Sequence, residues 1–353
     1  MNSVADKRVE HALVLSGGGG RGAYQVGVCQ VLEEMSWCPD MVLGNSIGAT
    51  NGAMLIAPKP DLGLSGTELL KQVWGREMSN KVLHKVSPEW PWYLEGVIKL
   101  VVRILQALQK PSRSAEVDDS FRRLLERLSK LPGDERKKVS LMSDIQKVLG
   151  EPCLMEREGW RQLLEQKVDF HRLNECCPPY YGVAVTDVLT GAPRYFWNHV
   201  PPGVEGTASG ITADHVMASS SIAGIYRATR LEGREWWDGA SIANSPIGPA
   251  IDSGATDIIV VLMTPWHPEP EGEGVPLPPQ ANSTTVWDAL ERFLDWTMLA
   301  PLRSELKRKR PEQTVRIVAP KKVQGVVQII DYDPKDSKVL IRQGIEDAKC
   351  VLQ

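Results

Sequence analysis

A parallel α/β sheet is the fold class this sequence predicts, and three observations predict it. Two strand–turn–helix units lie within the first sixty residues, "ALVLSGGGGRGAYQVGV" and "MVLGNSIGATNGAM". Further short apolar runs return near positions 182 and 257. The first stretch between them carries apolar residues at helical spacing.

The elements follow in order. Ala12–Leu15 reads as a buried strand and Gly17–Gly22 as a tight loop. From Ala23 to Met35, Val26, Val28, Val31, Leu32 and Met35 fit an amphipathic helix. Met41–Leu43 is a second strand, Gly44–Gly48 a turn, and Ala49–Ile56 a helix that ends before "APKP". Residues 59–175 are charged, helical in pattern and broken by Pro88, Pro91, Pro111, Pro132 and Pro152, so they read as an insertion or cap. Strands resume at Gly182–Asp187 and Arg194–Trp197 around an "LTGAP" turn, and a helix covers "ITADHVMASSSIA". A strand follows at Asp257–Leu262, a Pro/Gly-rich loop at 267–283, a helix at Val286–Leu299 and a late strand at Val323–Ile330. One principal domain over 1–353 is expected, its core at about 11–58 and 176–265, with a helical cap at 59–175 and an extension at 266–353.

Charge and cysteine usage narrow the class. A net charge of −3 gives no global attraction to nucleic acid, and nothing interleaves aromatic and basic residues in a nucleic-acid pattern. No apolar run approaches bilayer-spanning length, and the N-terminus lacks the apolar segment and cleavage site of a secretory signal. The six cysteines show no metal-like CxxC pairing, which fits reduced thiols in a cytoplasmic protein. Eleven tryptophans against four phenylalanines hint at an interface, since indole joins an apolar body to a polar edge.

The glycine loop poses the chemical question: which anion is it shaped to hold? Gly17-x-Gly19-x-x-Gly22 satisfies the dinucleotide fingerprint, but the second strand ends in Gly44-Asn45-Ser46 with no carboxylate for a ribose. No lysine follows the glycines, so a phosphate-binding P-loop is absent too. The second unit instead carries Gly44-Asn45-Ser46-Ile47-Gly48, a GxSxG between strand and helix. Its glycines let the chain turn sharply and present Ser46 at a helix N-terminus. Two amide-rich loops on successive βα units would lie side by side, one offering a nucleophile and the other donors for a tetrahedral oxyanion.

A serine needs a base. His267 sits at a strand end, so a Ser46–Asp238–His267 triad is conceivable, but that arrangement belongs to a fold whose elbow follows several strands. Asp238, in "EWWDGASIANSP", is the better candidate. Gly239 permits close approach of another backbone, and Trp236 and Trp237 offer water exclusion that would raise the carboxylate's proton affinity. An isolated Asp-Gly is more often a plain turn; the two N-terminal motifs give this one its weight.

Together, "SGGGGRGAYQVGV", "GNSIGATNGAM" and "WWDGASIANSPI" resemble the three signatures of the patatin-like phospholipases: GGGxRG, GxSxG and DG[AG]. "VAVTDVLTG" and "MASSSIAGIY" resemble further family segments, and the likeness covers about 11–58 and 180–262. It implies a three-layer α/β/α sandwich and hydrolysis of phospholipid or lysophospholipid esters by a Ser–Asp dyad, without calcium or other cofactor. By position, Ser46 is then the nucleophile and Asp238 the base, with Gly239 and Ala240 completing the DGA motif. The amides of Gly17, Gly18, Gly19 and Gly20 form the oxyanion hole, with Arg21 beside it; Gly44, Asn45, Ile47 and Gly48 form the elbow. One departure is Ala223, where the family often has proline, which bears on the acyl pocket. A lipid-binding protein that keeps the fold without turnover is the alternative from another class.

An enzyme acting on lipid must meet a surface. Residues 87–110 join Trp90, Trp92 and Tyr93 to an apolar helix with Lys99, Arg103 and Lys110, the composition of an interfacial helix and also of a cap helix packed on the core. Residues 286–299 followed by "RSELKRKR" (303–310) offer a second basic, amphipathic stretch, equally readable as a solvated helix end.

Overall fold

The computed structural model describes residues 8–79, 85–86, 153, 155–176, 179–266, 286–321, 329 and 332–353. The expected helix at 87–110, with Trp90, Trp92 and Tyr93, lies outside them, as do the 267–283 loop, His267 and the strand at Val323–Ile330 apart from Ile329.

The centre is an eight-stranded mixed sheet. Its strands are β1 (His11–Leu15), β2 (Met41–Asn45), β3 (Tyr180–Asp187), β4 (Pro193–Trp197), β5 (Thr229–Leu231), β6 (Arg234–Asp238), β7 (Asp257–Val261) and β8 (Thr314–Val318). In space they run β8-β7-β1-β2-β3-β6-β5, with β4 also on β3. The run from β8 to β3 is parallel, and β4, β5 and β6 are antiparallel.

Alternation along the parallel strands sends residues into two cores. Leu13, Leu15, Val42, Ile259 and Val261 enter one; Ala12, Val14, Leu43, Ile258 and Val260 enter the other. Both faces are buried, which is why these strands read as continuous apolar runs. The first face is covered by α1 (Ala23–Glu34), α2 (Ile47–Ile56), α3 (Gly66–Gln72), α4 (Glu158–Lys167), α5 (Phe170–Glu175), α6 (Ala213–Ser219) and the last helix, Pro334–Leu352. The second is covered by α7 (Gly248–Asp252) and α8 (Val286–Leu306). The result is a three-layer α/β/α sandwich.

The C-terminal part departs from the expected elements. β8 extends the sheet, and its Arg316 bridges to Asp257 at 2.6 Å; that central charge hid the strand from a reading based on apolar runs. α8 continues past Leu299 through Pro301 to Leu306. The last helix, α9 (Pro334–Leu352), starts with Asp333 accepting from the Lys335 N–H and Pro334 in its first turn. It covers the outer side of α1, so α1 is buried on both sides. The two helices cross at glycines: a Cβ on Gly27 would lie 2.1 Å from the Ile341 carbonyl, and one on Gly344 2.1 Å from the Tyr24 carbonyl.

Candidate active site

The sheet brings Ser46 and Asp238 together through one edge of β3. β4 occupies one edge of that strand, pairing with Gly182–Thr186. On the other edge β2 pairs with Tyr180–Ala184, and β6 enters antiparallel at Val185–Asp187. Asn45 faces Ala184, and Asp238 faces the next residue, Val185. β2 and β6 therefore end against each other, with Ser46 and Asp238 at the junction. The Ser46 hydroxyl lies near enough to the Asp238 carboxylate to favour its charged form, and both residues are buried.

Ser46 adopts φ 54°, ψ −122°, a strained conformation for a residue with a side chain. The sharp turn needs the flanking glycines. A Cβ on Gly44 would meet Ala49 Cα at 2.4 Å, and one on Gly48 the Leu15 carbonyl at 2.1 Å. Gly48 lets α2 start directly beneath the end of β1. Ile47 and Gly48 open α2, whose N-terminus sits under Ser46.

The residues that hold this pair come from the turn ending α6. Ser219 Oγ accepts the Ser46 N–H at 2.8 Å and donates to the Ala184 carbonyl at 2.6 Å. The Ser221 carbonyl accepts the Asp238 N–H at 2.9 Å. The Ala240 N–H donates to Asp238 Oδ1 at 2.8 Å, which fixes the carboxylate. Gly239 has no room for a side chain, since a Cβ would lie 2.4 Å from Asn45 Oδ1 and 2.8 Å from the Ala184 carbonyl. Asn45 itself donates to the Asn244 carbonyl at 3.2 Å, tying the elbow to the segment after the aspartate.

Burial pushes the Asp238 carboxyl up from 3.8 to about 6, against the pull of the Ser46 hydroxyl, the Ala240 N–H and the cation of Arg157. Trp236 is buried against Phe196, and Trp237 is only half-buried, so the tryptophans are part of the wall and not a closed lid.

The glycine loop leaves β1 beside Ser46: a Cβ on Gly17 would lie 3.2 Å from Ser46 Cβ. The Gly17 N–H is committed to the Asn244 carbonyl and the Arg21 N–H to the Gly18 carbonyl, both at 3.2 Å. Among the described residues, no backbone hydrogen bond outside the local helix uses the N–H of Gly18 or Gly19. Gly19 has φ +56°, and a Cβ there would lie 1.7 Å from the Ile329 carbonyl, so Ile329 lies against this loop. Arg21 is buried and reaches the Met263 carbonyl at 3.4 Å. Asn51 of α2 braces the loop through the Gly22 carbonyl and Gln25.

The described histidines are engaged elsewhere. His11 meets the Cys38 carbonyl, His199 the Asn174 carbonyl, His215 the Thr212 hydroxyl, and His171 pairs with Glu175. Sequence reasoning overlooked Ser219, Ser221, Asn244, Arg157, Tyr226 and Tyr332. "MASSSIAGIY" carries no local motif beyond its likeness to a family segment, and Arg157 lies in the stretch that reads as a cap. Tyr332, from the C-terminal extension, is buried between Trp74 and Trp160, and its ionisation is disfavoured by burial and then by Tyr226 and Asp238. Among the described residues, no helix is long and apolar enough to cross a membrane.

Comparison with known proteins places the chain in a family. The model described as "Patatin-like phospholipase" matches residues 13–251. Among solved structures, the chain is similar to VipD from Legionella pneumophila, with 14% identity and a TM-score of 0.42, covering 98% of this chain and 66% of that one. It is similar to the type III effector protein ExoU, with 15% identity and a TM-score of 0.35, covering 98% and 52%. It is also similar to the complex of SpcU with ExoU from Pseudomonas aeruginosa, with 16% identity and a TM-score of 0.31, covering 99% and 54%. The chain spans about half to two thirds of the length of these proteins. Comparison with curated proteins returns no match. Because the family model takes in more than half of the residues, the chain belongs to the patatin-like phospholipase family.

Proposed function

We propose that this chain is a serine lipid acyl hydrolase acting on phospholipid or lysophospholipid esters, with Ser46 as nucleophile and Asp238 as general base. The observation that carries the reading is the meeting of a serine on a strained elbow with a buried carboxylate of raised proton affinity, where β2 and β6 end against each other. A base near pH 6 is ionised at neutral pH yet avid enough to take a proton.

In the first step Ser46 Oγ attacks the ester carbonyl while its proton passes to Asp238. The carbonyl electron pair becomes an oxyanion, for which the amides of Gly18 and Gly19 are the donors. Collapse breaks the ester C–O bond, and the leaving alcohol takes the proton from Asp238. Water then attacks the acyl-enzyme, giving its proton to Asp238; collapse releases the fatty acid and returns the proton to Ser46. In this reading Gly17 and Arg21 shape the loop without donating their amides, and no metal or organic cofactor takes part. The chemistry belongs to segments 11–58 and 176–265, and the remaining segments cover and anchor them. Substrate is met by docking at a lipid surface.

The test is hydrolysis of phospholipid and lysophospholipid vesicles together with labelling by a fluorophosphonate. Covalent mass on Ser46 that is absent in Ser46→Ala, with hydrolysis lost in parallel, supports the reading. Lipid binding with neither labelling nor turnover would make the chain a non-catalytic lipid-binding member of its family.

A further inference from the structure

The turn Met217–Ser221 is pinned by one side chain. Arg157, 9% exposed, precedes α4 and sends its guanidinium across to the end of α6. It donates to the Met217 carbonyl and to Ser221 Oγ, both at 2.8 Å, and more weakly to the Arg227 carbonyl and Thr229 Oγ1 at 3.4 Å. Its plane sits 4.7 Å from the centre of the Tyr226 ring. A planar fork that meets several acceptors at a helix C-terminus is a task for arginine rather than lysine.

What that turn does makes the clamp matter. Ser219 holds the Ser46 N–H through its side chain, and Ser221 holds the Asp238 N–H through its carbonyl. Two residues almost two hundred positions apart thus hang from one three-residue stretch. We propose that Arg157 is a positioning residue for the dyad: its guanidinium fixes the Met217–Ser221 turn, and the turn sets the distance between nucleophile and base. This rests on the reading of Ser46 and Asp238 given above.

The same cation also acts on the base. The groups near Asp238 are Ser46, the Ala240 N–H, Arg157, Tyr226 and Tyr332; of these Arg157 carries the positive charge, and Cys153 also lies within electrostatic reach of the guanidinium. Burial pushes Arg157 down to about 10, which leaves it protonated at neutral pH.

The experiment compares wild type, Arg157→Lys and Arg157→Gln on a soluble 4-nitrophenyl acyl ester over pH 4.5–9, with fold checked by circular dichroism. Arg157→Gln should lower kcat about 100-fold with KM within about threefold, the scale of a small misplacement of reacting groups. It should also move the acid limb of kcat/KM upward by about half a pH unit or more, since a cation near the base is gone. Arg157→Lys keeps the charge and loses the fork, so kcat falls while the limb stays in place. A merely structural role would not separate the two variants in this way. Should Arg157→Gln fail to fold, Ser221→Ala removes the hydroxyl acceptor but keeps the carbonyl, and kcat should fall about tenfold. Active wild type with an unchanged limb in Arg157→Gln, or unchanged kcat in both Arg157→Lys and Ser221→Ala, overturns the inference and leaves the proposed function standing. Wild type that neither hydrolyses ester nor takes the label on Ser46 overturns the proposed function instead.

Discussion

Replacing Asp238 by asparagine should make the protein more stable as it makes it inactive, and the size of the gain follows from the site. The folded carboxyl titrates near 6 against 3.8 for the free side chain, a displacement of about two units, chiefly from burial. A group raised on folding stabilises fully below its unfolded value and loses that contribution as pH rises through its folded value. At pH 8 wild type therefore bears the whole cost of a buried charge, about 3 kcal/mol at about 1.4 kcal/mol per unit. Asparagine keeps an oxygen for the Ala240 N–H and carries no charge. Its advantage should grow by about 1.5 kcal/mol between pH 5 and pH 8, most of it around pH 6. Urea unfolding of both proteins at half-unit steps reads this directly. Hydrolysis in the same buffers should fall by about 10²–10⁴ in the variant, and wild type should lose activity as pH drops through about 6. Parallel stability curves for the two proteins, or a wild-type acid limb near pH 4, would refute the assignment of a raised buried base.

Three further outcomes are expected. Ser46→Gly should be more stable than Ser46→Ala by about 1 kcal/mol in calorimetry, because glycine relieves the φ 54° conformation, while neither variant hydrolyses ester. Ser219→Ala leaves the buried Ser46 N–H without its acceptor and should cost about 1–3 kcal/mol in urea unfolding, together with a lower kcat; wild-type values in both would show that another group holds the elbow. Gly344→Ala drives a Cβ into the Tyr24 carbonyl and should destabilise by about 1–3 kcal/mol in urea unfolding; an unaltered unfolding midpoint would mean that α9 docks without that close crossing.

Much of the fold was legible because its signals are local. A strand buried on both faces is a short apolar run wherever it occurs, and β1, β2, β3 and β7 all show one. The glycines at 44, 48 and 239 mark places where backbones pass too close for any side chain, and the contacts found at each are of that kind. β8 was missed because Arg316 interrupts its run, its charge being met by Asp257 on the neighbouring strand. α1 read as amphipathic, but α9 covers its outer side, and no local pattern in α1 announces a partner three hundred residues away.

On its own the sequence determined which chemistry was available: a serine on a glycine-flanked strand–helix turn, an Asp-Gly pair and an amide-rich loop, each encoded within a few consecutive residues. Tertiary structure alone decided how they meet. β6 enters antiparallel on the edge of β3 that β2 vacates, which sets Asp238 one register position beyond Asn45. The Ser219–Ser221 turn, the Arg157 clamp and the approach of Ile329 to Gly19 are likewise contacts between distant segments. The same is true of the proton affinity of Asp238, since burial is a property of the packed molecule and of no single stretch of chain.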